Sequence, residues 1–268
     1  MLEVNDMGSH GYAYSQHCTL YGDDNLEPIL ILGPVTPAWS GGEFCMGLIA
    51  ALTEQGYCVY VLDSVHYLGD LPLQRSSEEI IDSLAGVISE QFPNIQCIMG
   101  YALGGTLACK LAHRLEHVTH VVSLSGPGFI DAPLCQALSD LNVPLRQGDL
   151  ASALFALAKS VAPKGSIPSQ GHIDAIPDDD QHLACTRMLN GFEFLLQLDA
   201  REDLAKFKGN ALCVVGELSQ LATRDNQALQ SGNSLHTLVV VPNAGMRVLC
   251  DNIEYTISEI SSWLKDEN

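Results

Sequence analysis

The run Cys97-Ile98-Met99-Gly100-Tyr101-Ala102-Leu103-Gly104-Gly105 reads as a short buried strand that turns at once into a helix. Its first three residues are apolar, and helical spacing sets in over residues 104–115. Glycines at 100, 104 and 105 permit a sharp turn and close helix–strand packing, which presents the side chain at 102 at the apex. Outward from this point, strand-length and helix-length segments alternate. Strands are expected over residues 12–21, 28–33, 58–63, 95–100 and 119–124, the last stopped by Ser125-Gly126-Pro127-Gly128. Helices are expected over 42–55, ending at Gly56, and over 78–91, capped by Ser76 or Ser77 with Glu78 or Glu79 behind it. The rhythm lapses between residues 129 and 210, where helices are joined by polar loops bearing Pro and Gly (163–177). It returns at 211–216, 237–242 and the final helix 253–265. This alternation predicts an α/β fold with a mostly parallel sheet flanked by helices. Residues 1–128 and 211–268 form the expected core, and 129–210 a mainly helical cap insertion over the strand ends.

The chain has 268 residues, with 13 Lys plus Arg against 32 Asp plus Glu, for a formal net charge of −19. The acidity comes from missing bases, because charged residues are 17% against about 25% in ordinary domains. No Lys or Arg precedes Arg75. A phosphate backbone needs a basic stripe, so nucleic-acid binding is not expected, and an anionic membrane surface is disfavoured for the same reason. Residues 1–10 are polar and acidic, unlike a secretion signal, and no apolar run is membrane-length. Nine cysteines lie scattered with no CxxC pair. They read as reduced thiols of a cytoplasmic protein, many on core faces. An apolar fraction of 47% suffices for one substantial core.

The run 97–105 resembles the nucleophile elbow, G-x-S-x-G, of the α/β-hydrolase superfamily. The wider order is similar too. Leu30-Ile31-Leu32-Gly33 resembles the strand leading to the oxyanion loop, and residues 59–63 resemble the strand after it. Residues 195–204, with Asp199 and Arg201, resemble the return from the cap. Val214-Val215-Gly216-Glu217 resembles the acid-bearing strand, and Val240-Val241-Pro242-Asn243-Ala244-Gly245 the lead into the catalytic histidine. The resemblance spans residues 12 to 265 and implies an α/β-hydrolase-type core with a cavity beneath the cap.

At the three positions where that superfamily carries Ser, Asp and His, this chain has Ala102, Ser219 and Met246. Serine hydrolysis needs a hydroxyl to attack, an imidazole to take its proton and a carboxylate to orient the ring. Methyl, hydroxymethyl and thioether groups cannot divide that work. One oxyanion donor, the Leu103 N–H, survives. The second falls on Pro34, which has no N–H, or on Val35 if the register shifts by one. An engineered Ser→Ala change would account for Ala102 alone and not for Met246. Asp225 is a candidate for a displaced acid, but the histidine nearest Met246 is His236, ahead of the strand.

The resemblance implies a ligand-binding set of Gly33, Pro34, Val35, Tyr101, Ala102, Leu103, Ser219, Met246 and Arg247. His66 and Tyr67, with Asp63 before them, lie on a loop that in this fold reaches the pocket rim. Cys109 and Cys250 read as core. The stretch 171–182 is rich in carboxylates and holds His172 and His182, but Pro177 and the lack of an EF-hand order make it a solvated loop, so no metal is expected. Gly126-Pro127-Gly128 lacks a third glycine and no Walker sequence occurs, so no nucleotide cofactor is expected.

Three functions follow. The first is a non-hydrolytic binder of a small apolar or amphipathic molecule between core and cap. The second is a non-hydrolytic enzyme of lyase, isomerase or cyclase type, using Tyr101, His66, Tyr67, Ser219 and Arg247. The third is a protein-interaction module, or an inactivated hydrolase or thioesterase. The charge of −19 suits acidic carrier proteins poorly, while a protein partner or a homo-oligomer stays open.

Overall fold

The computed structural model describes residues 11–69, 75–167, 176–229 and 232–266. The N-terminal decapeptide and residues 171–175 of the acidic stretch lie outside them. Strand β5 (Cys97–Tyr101) is buried along its whole length because it lies at the middle of an eight-stranded sheet. β3 (Glu27–Leu32) and β6 (His120–Leu124) flank it in parallel. β4 (Tyr57–Leu62) lies outside β3, and β7 (Asn210–Gly216) and β8 (His236–Val241) continue beyond β6. Strands covered on both faces read as unbroken apolar runs, as in Ile29-Leu30-Ile31-Leu32.

The single strand expected over 12–21 is instead a hairpin. β1 (Tyr12–Ser15) and β2 (Cys18–Tyr21) pair antiparallel, and β2 pairs antiparallel with β4. The chain reverses at Gln16-His17, a polar break in which Ser15 Oγ accepts from the His17 N–H.

Helices α1 (Met46–Glu54) and α9 (Ile253–Asp266) cover one face of the sheet, and α2 (Ser77–Gln91) and α3 (Leu103–Leu111) the other. The first turn of the helix expected over 42–55 is a tighter 3₁₀ turn, Glu43–Cys45. Ser76 caps α2 through a reciprocal pair: the Glu79 N–H donates to Ser76 Oγ and the Ser76 N–H to the Glu79 carboxylate, satisfying donors a helix start leaves open. Between β6 and β7 lie α4 (Ala132–Arg146), α5 (Leu150–Val161), α6 (Asp178–Leu195) and α7 (Arg201–Lys206). The first three pack on one another, while α7 packs on α3.

The joint between β5 and α3 is drawn tight by glycine. A Cβ at Gly100 would sit 1.9 Å from the Gly104 carbonyl oxygen, and one at Gly104 would sit 2.0 Å from that of Leu32. Between them, Ala102 adopts φ 52° and ψ −116°, a region where L-residues are strained by about 1–3 kcal/mol. Its N–H donates to the Leu124 carbonyl and its own carbonyl accepts from Gly105, so the surroundings hold the turn.

Charge also ties the outer helices down. Lys110 of α3, almost fully buried, reaches Asp203 of α7 at 2.7 Å and Glu78 of α2 at 2.6 Å. Arg114 bridges the same two carboxylates and Asp82. Burial alone would raise the Asp203 carboxyl, but hydrogen bonds from Lys110 and Arg114 outweigh it and hold it below the usual carboxylate range.

Gly104→Ala must push backbone against backbone and is expected to cost about 3 kcal/mol or more by urea denaturation. Ala102→Gly relieves the strained turn and, after the entropy regained by the unfolded chain, should stabilise by about 1 kcal/mol. The Asp203 contribution is complete above pH of about 4 and is lost as pH falls through its lower folded value. Asp203→Asn should therefore show a shallower fall in Tm between neutral and acid pH than the parent.

Candidate functional site

Strand order decides where a site can form. From β3 the chain passes to β4 on one side and then returns to β5 on the other. The crevice outside the carboxyl ends of β3 and β5 is thus the switch point at which open α/β sheets bind ligands. A cavity of about 530 Å³ occupies it, within the range of small-molecule sites.

The segments that follow the strands form its floor: Pro34 and Val35 after β3, Tyr101 to Leu103 around the β5 turn, Pro127 after β6, Leu221 after β7, and Met246 and Arg247 after β8. Leu134 and Leu138 of α4, Leu154, Leu157, Ala158 and Val161 of α5, and Phe192 and Leu195 of α6 enclose it. The lining is overwhelmingly apolar. Among the described residues that line it there is no Asp, Glu, His or Cys.

Its few polar groups are mostly committed. The Thr36 hydroxyl donates to the Ala38 carbonyl at 2.8 Å. The Tyr101 hydroxyl donates to the Met246 carbonyl at 3.1 Å, and its ring stacks on Phe44. Burial pushes the Tyr101 phenol well above its ordinary range. Ser40 is an exposed rim residue. Arg247 is half-buried, and its Nε is enclosed without a hydrogen-bond partner among the described residues. The Leu103 N–H, at the first residue of α3, is one of the donors a helix leaves without an internal acceptor.

Two sets of bonds hold α5 and α6 over this floor. The Met246 N–H donates to the Val161 carbonyl, the Lys164 N–H to Leu218, and the Gln220 amide to the carbonyls of Lys159 and Ala162. These join the end of α5 to the segments after β7 and β8. Arg187 of α6 meets the Asp63 carboxylate with both terminal nitrogens, at 2.9 and 2.5 Å, while its Nε donates to the Thr36 carbonyl. Such a two-pronged charged pair is strong and directional.

The expected site residues divide accordingly. Pro34, Val35, Tyr101, Ala102, Leu103, Met246 and Arg247 line the cavity; Gly33, His66, Tyr67 and Ser219 do not. Gly33 lies just below the floor, its N–H donating to Leu62 and its Cα close to the Trp39 ring. His66 stacks on His17 with ring centres 3.3 Å apart, and burial and His17 together lower its pKa. Tyr67 packs against the α2–α3 side core. The Ser219 Oγ is enclosed beside the sheet with no hydrogen-bond partner among the described residues.

Asp63 is a clamp residue behind the rim, not part of it. Asp225 is exposed on a 3₁₀ turn. His236 begins β8, at the opposite end of that strand from the loop that carries Met246. All nine cysteines are free and seven are buried. Cys109 is among the buried ones, but Cys250, expected in the core, is exposed because the short helix α8 (Val248–Asp251) turns it outward. The reading from sequence missed Arg187, whose only local signal is a base within the α6 segment, and the leucines of α4 and α5 that face the cavity.

No family model and no curated protein matches this sequence. Solved structures do. An α/β-hydrolase enzyme, MGS-M2, from a Medee basin deep-sea metagenome library superposes with a TM-score of 0.72 at 14% identity, covering 96% of this chain and 97% of the other. The enol-lactonase from Burkholderia xenovorans LB400 does so with 0.71 at 15% identity, covering 93% and 96%. MenH from S. aureus gives 0.65 at 14% identity, covering 94% and 99%. At such identities the likeness is one of architecture, and it extends along nearly the whole chain: this protein has the α/β-hydrolase fold.

Proposed function

We propose that the protein binds a small apolar or amphipathic molecule in this cavity and does not hydrolyse it. The ligand lies between a core of residues 1–128 and 211–268 and a cap formed within 129–210. One observation carries the reading: the residue at the strained elbow over the switch point is Ala102, and the described lining offers no imidazole to activate any nucleophile. Ser40 on the rim has no such base beside it in the lining. Acyl transfer assembles a nucleophile, its base and two oxyanion donors within hydrogen-bond reach. Here Pro34, at the position where the resemblance places the second donor, has no N–H, and Met246 lies on the floor where the resemblance places the base.

What the cavity does supply is apolar surface, which stabilises a bound apolar group by about 25 cal/mol per Å² removed from water. Preformed walls, held by the Arg187–Asp63 clamp, spare the ligand the cost of ordering them. Altered chemistry in the same cavity is the second reading. It would rest on Tyr101 and Arg247, the titratable groups of the described lining. A phenol that holds its proton tightly and donates it to a backbone carbonyl is a poor acid–base group near pH 7, and guanidinium does not exchange protons there. His66, Tyr67 and Ser219 lie outside the lining. Binding without turnover therefore accords better with the lining.

Buried free thiols accord with a reducing compartment, and no described helix is long and apolar enough to cross a membrane. We place the protein in the cytoplasm, with a small molecule as its partner and nucleic acid disfavoured by its charge.

Native mass spectrometry of the purified protein should show a co-purifying small molecule, released unchanged on denaturation. Fluorophosphonate probes should leave the protein unlabelled; a serine adduct, or esterase turnover above that of denatured protein, would overturn the proposal. The triple change Ala102→Ser, Ser219→Asp and Met246→His is expected to gain labelling at residue 102, while Ala102→Ser alone stays unlabelled. Labelling of the single variant would mean that a base operates there after all.

A further inference from the structure

Building on the binding role above, we propose that the ligand carries one carboxylate and that Arg247 anchors it, with the apolar remainder lying toward α4, α5 and α6. The chain has 32 acidic residues against 13 Lys plus Arg, yet the described lining of its cavity holds one cation and no acid. The other arginines show what this chain normally does with a guanidinium. Of the six other arginines, Arg114, Arg146, Arg187 and Arg201 each pair with a carboxylate, while Arg75 donates to the Glu79 carbonyl and Arg224 is exposed on a surface turn. Arg247 makes no such pair among the described residues, although it is half-buried and its Nε is enclosed without a partner.

The nearest carboxylate in sequence, Asp251, turns one oxygen to the Gly245 N–H at 2.9 Å and makes no ion pair with Arg247. A guanidinium that lines an apolar cavity and has no carboxylate partner among the described residues is an incompletely matched charge. A carboxylate on the ligand would meet it through the terminal nitrogens.

The chemistry of the acceptor follows from the group that receives it. Guanidinium is planar, always charged, and matches two coplanar oxygens with parallel N–H bonds. A carboxylate monoanion neutralises one positive charge and leaves no excess in a lining that has no second cation among the described residues. A dianionic headgroup would leave one negative charge uncompensated. Leu103, at the start of the nine-residue helix α3, lines the same cavity, and a helix start adds a favourable partial charge. Phe192, Leu154 and Leu138 receive the apolar part.

Calorimetric titration with dodecanoate and with dodecanol separates this inference from the one beneath it. The parent protein, stripped of co-purified ligand and shown folded by circular dichroism, is expected to bind dodecanoate at least about tenfold tighter than dodecanol. Arg247→Gln should weaken dodecanoate by about tenfold to a hundredfold, the range for a hydrogen bond to a charged group, and leave dodecanol within about twofold. Arg247→Lys, which keeps the charge but not the fork, should fall between. Equal affinity for acid and alcohol in the parent, or equal loss of both in Arg247→Gln, would overturn the carboxylate anchor while the binding role stands. If neither compound binds the folded parent, both conclusions fall.

Discussion

The first turn of α3 lies directly on β3 and β5 with no side chain between. Only hydrogen at Gly100 and Gly104 allows this, since a methyl group at either would come within 2.0 Å of a backbone oxygen. From that contact much of the rest follows. It forces the backbone at Ala102 into a conformation that L-residues avoid. It sets the start of α3 over the crevice between β3 and β5, and brings Leu103 to the cavity floor. The strain at 102 persists because hydrogen bonds to Leu124 and Gly105 hold it from both sides, as expected where surrounding structure over-determines a turn. The geometry of an elbow is thus kept although the side chain it presents is a methyl group.

A floor of this kind needs walls to become a cavity, and polar bonds position the walls. The Arg187–Asp63 pair joins α6 to the end of β4 and, through Thr36, to the loop after β3. Backbone bonds from Met246 and Lys164 join the end of α5 to the loops after β8 and β7. Charged pairs like these add little net energy when buried, because desolvation offsets attraction. Their value here lies in orientation: they hold leucine-bearing faces over the sheet instead of letting them collapse onto it. The Lys110–Asp203 network does the same for α7 and α2 on the adjoining flank.

Much of this was legible locally. The alternation of apolar strands with amphipathic helices identifies the parallel sheet, and the Ser76–Glu79 spacing marks the start of α2 to within a residue. The glycine pattern at 100–105 marks the elbow. Where the reading failed, the missing information was long-range. Residues 12–21 look like one strand because β1 and β2 have similar residues; only their pairing with each other and with β4 shows the reversal. Cys250 has the composition of a core residue, but the four-residue helix that carries it points it outward. His66 and Tyr67 follow a strand whose loop leads behind the rim, where His17 and Asp63 take up the space, so proximity in sequence to a floor strand did not bring them to the cavity.

By itself, the sequence determined the parallel strands of the sheet, the helices between them and the elbow, because these depend on residue spacing and on where glycine alone fits. Ala102, Met246 and Arg247 were placed at the cavity by the resemblance of their surroundings to the α/β-hydrolase pattern. The tertiary structure decided the rest: which strand ends meet, which helices cover them, and which polar groups are already satisfied. Arg187 and Arg247 are both isolated bases in the sequence. One is matched to Asp63 across 124 positions of chain, and the other makes no ion pair among the described residues, its Nε having no acceptor there. That difference comes from which groups the folded chain brings within hydrogen-bond reach, and no local pattern encodes it.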